Sequence, residues 1–450
     1  MAGSRDLTRG PVRGHLVHLG APMVVGIVAV LSISLVDAWF VGKLGLEPLA
    51  ALSFTFPVVF SIASVAIGLG AGAASVVSRA IGTGDRHRVQ RLATDSLLLS
   101  VLVVAALSTL GWFTIEPLFR AMGARDQVLG YIVDYMQIWY LGMPFLVVPM
   151  VANSLIRADG DSRIPSLMMV FAAIANIGLN PVFIFGLGPI PAMGIQGAAV
   201  ATVIARALSM MLALFLVFRH RLVVTGWPGW AELSDSWRHI AQVGLPAGAA
   251  NVITPFGVGV LTAAMARLGP ETVAAFGVAT RVETLAAIPM LALSGAIGPV
   301  VGQNWGKGEK GRVREALLDC FRFCLVWALV MAVFFWLFAG LVVTWFTDEA
   351  AVQSVMITYL QVVPLSLAGY GVIICASAAF NGLGKALVGM GFYLLRTGIF
   401  YVPLGVLASF FLPPVGVFAA LALANVLAGL VVSRRALVRL DAAPRRSATQ

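Results

Sequence analysis

Long apolar stretches separated by short polar loops run through the whole chain. Each stretch holds about 20 or more mostly apolar residues, the length that an α-helix needs to cross a bilayer. The loops are rich in Gly, Pro and polar residues, as in Gly82–Arg91 and Gly226–Gly229. The pattern predicts an all-α integral membrane protein with twelve transmembrane helices. The predicted spans are residues 16–40, 49–78, 92–115, 129–155, 164–186, 193–218, 239–266, 272–302, 316–346, 352–380, 386–411 and 414–437.

Several sequence features recur at a constant spacing of 224 residues. Lys43–Phe54 (KLGLEPLAALSF) returns as Arg267–Val278 (RLGPETVAAFGV), and Gly20–Pro22 returns as Gly244–Pro246. Recurrence at one spacing of about half the chain length indicates a duplicated unit. Two fused halves are typical of membrane transporters. We therefore expect two pseudo-symmetric lobes of six helices each.

The longest polar loop joins the sixth and seventh spans. It contains Trp227 and Trp230, a residue type that suits the membrane–water interface. We interpret this loop as the connection between the two lobes. The predicted organisation is an N-terminal six-helix lobe at residues 1–218, a cytoplasmic linker at 219–238, a C-terminal six-helix lobe at 239–437 and a cytoplasmic tail at 438–450.

Composition strengthens the membrane interpretation. Of the 450 residues, 60% are hydrophobic and only 11% are charged, whereas soluble domains carry about 25% charged residues. The net charge of +10 does not indicate a nucleic-acid partner, because the basic residues lie in short loops, as membrane topology predicts. The lipid bilayer is therefore the expected surrounding of this chain.

Basic loop residues predict the orientation of the spans. Most Lys and Arg residues lie at the two termini and in the loops after even-numbered spans. The opposite side carries only Lys43, Arg120, Arg125 and Arg267. Because loops with excess Lys and Arg stay inside, we expect a multi-pass protein of the cytoplasmic (inner) membrane with both termini in the cytoplasm.

The first half of the chain carries a candidate cation-coupling site. Asp37 lies in the first span, where an ionisable side chain is costly and therefore suggests a function. Asn176 and Asn180 are four residues apart on the fifth span and share one helix face, and Thr202 lies on the sixth. These groups offer oxygen atoms to a proton or, weakly, to a sodium ion. The alternative is interhelical hydrogen bonding without any ion.

The second half carries different polar residues. Glu283 lies near the middle of the eighth span and follows Arg281 by two residues, so the two side chains do not face each other on a helix. Glu283 either lines a cavity or pairs with an arginine on another helix, such as Arg396. Asn251 and Thr254 are three apart on the seventh span, which fits a polar cavity wall and helix packing equally well.

Two asparagines end corresponding spans in the two halves. Asn153 and Asn381 each precede a short loop after the fourth and tenth spans. A turn or helix-cap role is favoured over substrate contact at these positions. Asn153 is nevertheless retained as a candidate residue of the substrate cavity.

Features of an enzyme are missing from the sequence pattern. Cys320 and Cys324 are one helical turn apart, but no further Cys or His lies nearby in sequence, so we interpret them and Cys375 as small buried or lipid-facing residues. No nucleophile elbow, His-rich cluster or paired carboxylates appear. We therefore expect a protein that is not an enzyme, with no catalytic residues, metal site or cofactor.

Several motifs together resemble the MATE (multidrug and toxic compound extrusion) transporter family. They are Val36–Gly45 (VDAWFVGKLG), Asn176–Gly188 (NIGLNPVFIFGLG), Gly194–Thr202 (GIQGAAVAT) and Val301–Gly306 (VGQNWG). The segment Arg281–Leu285 is most similar to the DinF-type branch of that family. The resemblance covers nearly the whole chain.

This resemblance implies twelve helices in two lobes and the export of organic cations or other amphipathic toxins, driven by inward flow of protons or sodium. The acid of the family's first helix falls on Asp37, its fifth-helix asparagine on Asn176 and its sixth-helix threonine on Thr202. Where many members have an aspartate before the fifth-helix proline, this chain has Asn180. Because a lone carboxylate attracts sodium less than a pair does, we favour proton coupling.

Other transport classes fit the pattern less well. A flippase for lipid-linked saccharides, of the same wider superfamily, is the nearest alternative, but its cavity should carry several cations, and only Arg206, Arg281 and Arg396 lie mid-membrane. A channel needs no coupling carboxylate, and a two-lobe repeat suits alternating access better. The expected partners are small amphipathic or cationic substrates. The sequence leaves the cargo and the oligomeric state open and is compatible with a monomer.

Overall fold

A computed structural model describes residues 6–224, 226 and 229–442. This part of the chain is almost entirely α-helical and contains no β-strand beyond an isolated bridge between Leu187 and Ile190. The described residues form sixteen α-helices. They are α1 Val12–Gly42, α2 Leu46–Thr83, α3 Arg86–Ala121, α4 Asp126–Gly142, α5 Pro144–Ala158, α6 Arg163–Phe185, α7 Gly194–Arg219, α8 Trp230–Met265, α9 Pro270–Ala286, α10 Ile288–Gly306, α11 Lys310–Val343, α12 Ala350–Val362, α13 Leu367–Gly382, α14 Ala386–Leu394, α15 Val402–Phe411 and α16 Pro414–Asp441.

The helices group into twelve membrane spans. Ten continuous or nearly continuous helical stretches are long and apolar enough to cross a bilayer. Two further spans are bent pairs: α4 and α5 meet at 42°, and α9 and α10 meet at 47°. The second helix of each pair has a proline in its first turn, Pro144 in α5 and Pro289 in α10, where the missing N–H interrupts the helical ladder. The predicted all-α membrane fold is confirmed.

Two spans in the second half contain local irregularities. A 3₁₀ turn at Pro364–Ser366 joins α12 to α13. A π-helix at Leu395–Tyr401 joins α14 to α15, and Pro403 follows in the first turn of α15. Wide π-helical turns occur mostly at functional sites. This one contains Arg396, a buried arginine described below.

The chain forms two compact units. The second unit is built from two segments that are far apart in sequence. The first unit contains Pro22–Gly248, and the second combines Leu7–Ala21 with the residues from Ala249 onward. Helices α1 and α8 therefore each contribute to both units, and the chain changes unit at or close to Pro22 and Pro246, which are equivalent in the repeat. The predicted lobe boundaries at residues 218 and 239 stay a prediction, although α8 begins at Trp230, inside the predicted linker.

Small residues bring the helices of the first unit close together around α6. A Cβ atom at Gly26 of α1 would lie 2.8 Å from Met169 Sδ on α6. A Cβ at Gly197 of α7 would collide with the carbonyl of Phe183 on the same α6 helix. Close backbone approach through small residues is how membrane helices associate. Helix α6 is therefore packed between α1 and α7.

The second unit is organised around one continuous apolar core. Helices α13 and α16 approach closely, since a Cβ at Gly429 would lie 2.5 Å from Gly369 Cα. Cys320, Cys324 and Cys375 are all buried free thiols in this core, the first of the two environments, buried or lipid-facing, left open by the sequence, with 3.9 Å between the sulfur atoms of Cys324 and Cys375. Tight packing of α13 against α16 positions the polar residues of this unit.

Candidate functional site

Four side chains from three helices form a continuous hydrogen-bonded row in the first unit. Asn180 Nδ2 donates to Asp37 Oδ1 at 2.6 Å and to Asn176 Oδ1 at 3.3 Å. Asn176 Nδ2 donates in turn to Thr202 Oγ1 at 3.0 Å. The structure thus brings together all four residues predicted for cation coupling, and we call them the Asp37 row.

Local sequence explains how the helices present this row. Asn176 and Asn180 are four apart on α6, so both amides project from one face. Pro181 follows directly and has no N–H, which removes the helical hydrogen bond to the Ile177 carbonyl. Thr202 lies on α7, which Gly197 holds against α6. The row therefore depends on close packing of α1, α6 and α7.

Burial makes the row sensitive to charge. Asn176, Asn180 and Thr202 are 1%, 0% and 4% exposed, whereas Asp37 is half-buried. Asn180 Oδ1 is buried and has no hydrogen-bond partner among the described residues. A buried acceptor without a partner is energetically costly. The row can therefore accept one further donor or cation next to the carboxylate.

Two more ionisable side chains surround Asp37. Arg206, one turn after Thr202 on α7, and Tyr135 on α4 both interact with Asp37 electrostatically. Arg206 Nη1 is buried without a hydrogen-bond partner in the described part of the chain. The sequence marks Arg206 as a mid-membrane charge, but nothing in the spacing indicates that Tyr135 lies nearby. The half-buried carboxylate thus has a positive neighbour that is not locked to it in an ion pair.

A second polar network lies in the second unit. The Tyr359 hydroxyl on α12 donates a hydrogen bond to the Glu283 carboxylate on α9. Arg396 attracts Glu283 electrostatically but donates its Nε–H to Asn425 Oδ1 on α16 at 2.8 Å. Asn425 Nδ2 donates to Ser366 Oγ at 3.1 Å. Glu283 therefore bonds to a tyrosine, and Arg396 acts on it only as a nearby charge.

Aromatic rings hold the Arg396 guanidinium. Its central carbon lies 4.4 Å from the ring centres of both Tyr370 and Tyr401. The side chain is only 3% exposed, and Nη1 has no hydrogen-bond partner among the described residues. Cation–π contacts stabilise a desolvated guanidinium. The Nη1 edge of this guanidinium is therefore the part that lacks a partner among the described residues.

Arg281 and Thr254, two other predicted residues of the second half, form no hydrogen bond with the described residues of this network. The Arg281 side chain is exposed and forms no hydrogen bond or ion pair with the described residues. Thr254 Oγ1 is buried without a partner in the same part of the chain, and Asn251 is half-buried on α8. No hydrogen bond joins Arg281 or Thr254 to Glu283. These positions remain candidates for a cavity wall.

The two asparagines at span ends behave differently. Asn381 is the second-last residue of α13, and its backbone carbonyl accepts a hydrogen bond at 3.0 Å from Gly384 N in the turn that follows. The cap interpretation of Asn153 is wrong, because α5 continues to Ala158 and buries Asn153 inside the helix. Asn153 Oδ1 has no hydrogen-bond partner among the described residues. Its unpartnered amide oxygen keeps Asn153 as a candidate for polar contact.

Family and sequence comparisons match most of the chain. The family model described as MatE matches twice, at residues 22–182 and 246–407. The chain is similar to the FAD transporter of Shewanella oneidensis, with 35% identity over 96% of this chain and 95% of that protein. It is also similar to the probable multidrug resistance protein YpnP of Bacillus subtilis, with 26% identity over 76% of each chain.

The fold of the chain is also similar to that of solved transporter structures. The chain is similar to a crystal structure of a mutant of VcmN, a MATE transporter of Vibrio cholerae, with a TM-score of 0.92 and 27% identity. The match covers 96% of this chain and 98% of that one. The two matches to the family model begin at Pro22 and Pro246, which the internal repeat relates to each other.

Proposed function

The chain belongs to the MATE family of membrane transporters, and we propose that it exports small organic molecules in exchange for an inward-moving cation. Proteins of this family are transporters and not enzymes, and this chain is a multi-pass membrane protein. Internal repeats suit alternating access, in which similar lobes expose one binding cavity to each side in turn. The family alone leaves the coupling ion and the cargo to be argued from the residues.

The hydrogen bond from Asn180 Nδ2 to Asp37 Oδ1 carries the coupling proposal. An ionised Asp37 accepts this N–H. When Asp37 takes a proton from outside, its carboxyl O–H needs an acceptor, and Asn180 Oδ1 supplies one once the amide turns over. Protonation thereby replaces the hydrogen bond from Asn180 Nδ2 to Asp37 with one from the Asp37 carboxyl to Asn180 Oδ1. This bond joins α1 to α6 in both states. Because Pro22 and Gly26 allow α1 to bend, we expect α1 to bend, the N-lobe cavity to shrink and the cargo to leave outward.

A proton is favoured over sodium as the coupling ion. Binding a proton requires one carboxylate and one acceptor, both of which the Asp37 row contains. Sodium requires several oxygen ligands at once, and here only one of them, Asp37, is charged. The neighbouring Arg206 guanidinium opposes the binding of any cation at Asp37, a proton included, so the choice between the ions rests on the number of ligands. The row thus suits proton exchange, with sodium as a weak competitor.

Amphipathic or cationic drugs and toxins are the first candidate cargo. One relative is named as a probable multidrug resistance protein. The half-buried carboxylate of Asp37 attracts a cationic group when it is ionised and loses that attraction when it is protonated. Competition of this kind between cargo and proton is what an antiporter requires. Ethidium is a suitable probe, because it is a fluorescent organic cation.

A flavin nucleotide is the second candidate cargo. The relative with 35% identity is named as an FAD transporter. Arg206 and Arg396 each keep a buried Nη1 without a hydrogen-bond partner among the described residues, and guanidinium groups bind phosphate strongly. Tyr370 and Tyr401 beside Arg396 are aromatic rings, a residue type that stacks on flat ring systems. This cargo would use positive sites that an organic cation avoids.

We place the protein in the cytoplasmic membrane with both termini in the cytoplasm, because the basic loops lie on that side. Every residue of the Asp37 row comes from one chain, so a monomer suffices as the transporting unit. The DinF-type branch remains our assignment within the family. Reaction of single cysteines placed in the loops with a membrane-impermeant maleimide tests the topology, and labelling of intact cells at residues near Arg312 would contradict it.

Ethidium efflux from cells tests the coupling proposal. We expect the Asp37→Asn variant to lose at least about 90% of efflux, since general acid–base and coupling groups typically contribute factors of 10² or more. Glu47→Gln is a matched control, because Glu47 is an exposed carboxylate in the first turn of α2. Full activity of Asp37→Asn at equal membrane abundance would overturn the proposal.

Proteoliposomes separate the candidate ions and cargoes. The protein should drive ethidium or FAD across the membrane when a pH gradient is imposed in sodium-free buffer. Counterflow of labelled FAD with no transport of ethidium would select the nucleotide cargo. Transport that requires a sodium gradient and ignores the pH gradient would contradict proton coupling while leaving the family assignment intact.

A further inference from the structure

A groove with two arginines at its edge lies between α14 and α16 in the second unit, with a cavity volume of about 320 Å³. We call it the α14–α16 groove. Its lining is apolar on the α14 side and basic on the α16 side. The lining residues are Leu387, Val388, Gly391, Phe392, Leu395, Arg435 and Arg439.

The two arginines lack a protein partner that would explain their spacing. Arg435 and Arg439 are four apart, so they lie on the same face of α16, and both side chains are exposed. Neither forms a hydrogen bond or an ion pair with the residues that the structure describes. Like charges four apart on a helix repel each other. An anion bound between them would turn this repulsion into two attractive contacts.

The exposed side chains of the groove suit contact with lipid, and the proposed topology puts the groove near the cytoplasmic ends of its helices. Leu387 is 66% exposed at the start of α14, as expected for a side chain against lipid. Arg439 lies in the last turn of α16. With the topology proposed above, both ends lie at the inner surface of the membrane. A guanidinium there meets the phosphate layer while the apolar lining meets acyl chains.

Gly391 leaves the apolar part of the groove open. A Cβ atom at Gly391 would meet no other atom within 4 Å. Every other α14 residue of the lining carries a large apolar side chain. The space above Gly391 can therefore hold part of a chain-like apolar ligand. An inorganic phosphate ion would leave this space unfilled.

We propose that the α14–α16 groove binds one anionic phospholipid of the inner leaflet. The phosphate group lies between the Arg435 and Arg439 guanidiniums, where charge-assisted hydrogen bonds are strong. One acyl chain runs over Gly391 along α14. Basic pockets between helices on the cytoplasmic side recognise such lipids in membrane proteins generally. This site is separate from the transport residues and does not rest on the identity of the cargo.

Native mass spectrometry and thermal unfolding of the purified full-length protein test the proposal. Phosphatidylglycerol should bind and raise the Tm more than phosphatidylcholine does. The doubly substituted variant Arg435→Gln, Arg439→Gln should bind phosphatidylglycerol about 25-fold more weakly, at roughly 5-fold per arginine. Gly391→Leu, which fills the apolar space and keeps both charges, should also weaken binding.

Matched controls separate a lipid site from general basicity. Arg434→Gln removes an equally exposed charge next to the groove, and Gly340→Leu adds a side chain at another open position on α11. Both controls should bind phosphatidylglycerol like the unchanged protein. Three results would overturn the proposal: equal stabilisation by both lipids, equal loss of binding in Arg434→Gln, or full stabilisation by glycerol phosphate, which lacks acyl chains.

Discussion

A single carboxylate distinguishes the first unit at the scale of residues. Asp37 is half-buried, receives one strong hydrogen bond from Asn180 and has Arg206 close by. The amide at position 180 stands where the family resemblance implies a second acid. The row consequently contains one negative charge and neutral oxygens, and this limits what it can bind. Restoring the second acid is therefore an informative change.

Asn180→Asp should shift the protein toward sodium. Two carboxylates separated by about a hydrogen-bond length cannot both ionise without a counter-cation, and sodium can act as one. We expect transport by this variant to respond to an imposed sodium gradient in proteoliposomes, unlike transport by the unchanged protein. Asn381→Asp makes the same exchange at the end of α13, outside the row, and should behave like the unchanged protein. Sodium independence of Asn180→Asp would contradict the proposed role of the row.

The hydrogen bond between Glu283 and Tyr359 can be tested by substitution in the second unit. Tyr359→Phe removes the hydroxyl that donates to the Glu283 carboxylate. An unsatisfied buried acceptor costs about 1–3 kcal/mol, so we expect a lower Tm for Tyr359→Phe in detergent. Glu283→Gln keeps a neutral acceptor for the hydroxyl and should cost less stability. Tyr131→Phe, near the start of α4, is a control that should leave the Tm unchanged, and an equal loss in all three variants would refute this account.

The sequence predicts some polar residues of the two networks but not others, for a physical reason. Asn176 and Asn180 are recognisable because helical spacing puts them on one face, and Asp37 because a charge in an apolar span is rare. Tyr359 and Asn425 have no such signal. They bond to Glu283 and Arg396 on other helices, and contacts between distant spans leave no periodic pattern. Tyrosine in a span also looks like an ordinary apolar residue.

At the scale of elements, the apolar pattern predicts where the spans begin and end. It does not predict the breaks within spans. Pro144 and Pro289 lie at the two bends, whereas Pro57 and Pro117 lie inside continuous helices. A proline therefore allows a break without requiring one, and packing decides. The π-helix around Arg396 is likewise not predictable from the sequence alone, because it depends on partners from α13 and α16.

The end of α7 gives a pH-dependent prediction. His220 follows α7 directly, outside the span, and its Nδ1 lies 3.5 Å from Asp159 Oδ2. The hydrogen bond with Asp159, and more weakly the charge of Asp161, raise the pKa of His220, although partial burial and Arg219 oppose this. A raised pKa means that the protonated imidazole stabilises the fold. This contribution is complete at low pH and is lost as the pH rises through the pKa of His220.

His220→Gln should therefore lower the Tm more at pH about 6 than at pH about 8, by an interaction on the order of 1 kcal/mol. Arg86, whose Nη1 lies 3.9 Å from Asp159, supplies a positive charge that does not titrate in this range. His87→Gln removes an exposed imidazole nearby and is the control. A pH-independent difference between His220→Gln and the unchanged protein would show that the imidazolium does not contribute.

At the scale of the whole molecule, the repeat predicts a duplicated scaffold but not its polar sites. At the spacing of 224 residues, Asp37 corresponds to Leu261 and Glu283 corresponds to Val59. Each unit therefore carries an acid that the other lacks. The duplicated helices fit a transporter with two similar lobes, and our proposal assigns coupling to Asp37 in the first unit.

The sequence does not predict that the first part of α1 packs with the second unit. Leu7–Ala21 belongs to the second unit, where Arg312 donates to the carbonyls of Leu7 and Gly10 at 3.2 and 2.8 Å. The repeat shows that residues near Pro22 and Pro246 are equivalent, but it does not show which unit the preceding segment packs against. Backbone hydrogen bonds to a distant arginine leave no pattern in the sequence.

Proton release on cargo binding tests the central claim most directly. Organic cation and proton that compete for Asp37 must each lower the other's affinity, so adding ethidium to the purified protein in weakly buffered solution should release up to about one proton per molecule. A pH-sensitive dye measures this release. The account predicts release from the unchanged protein and from Glu47→Gln, and none from Asp37→Asn. Equal release from Asp37→Asn, or no release by the unchanged protein when it binds ethidium, would contradict it.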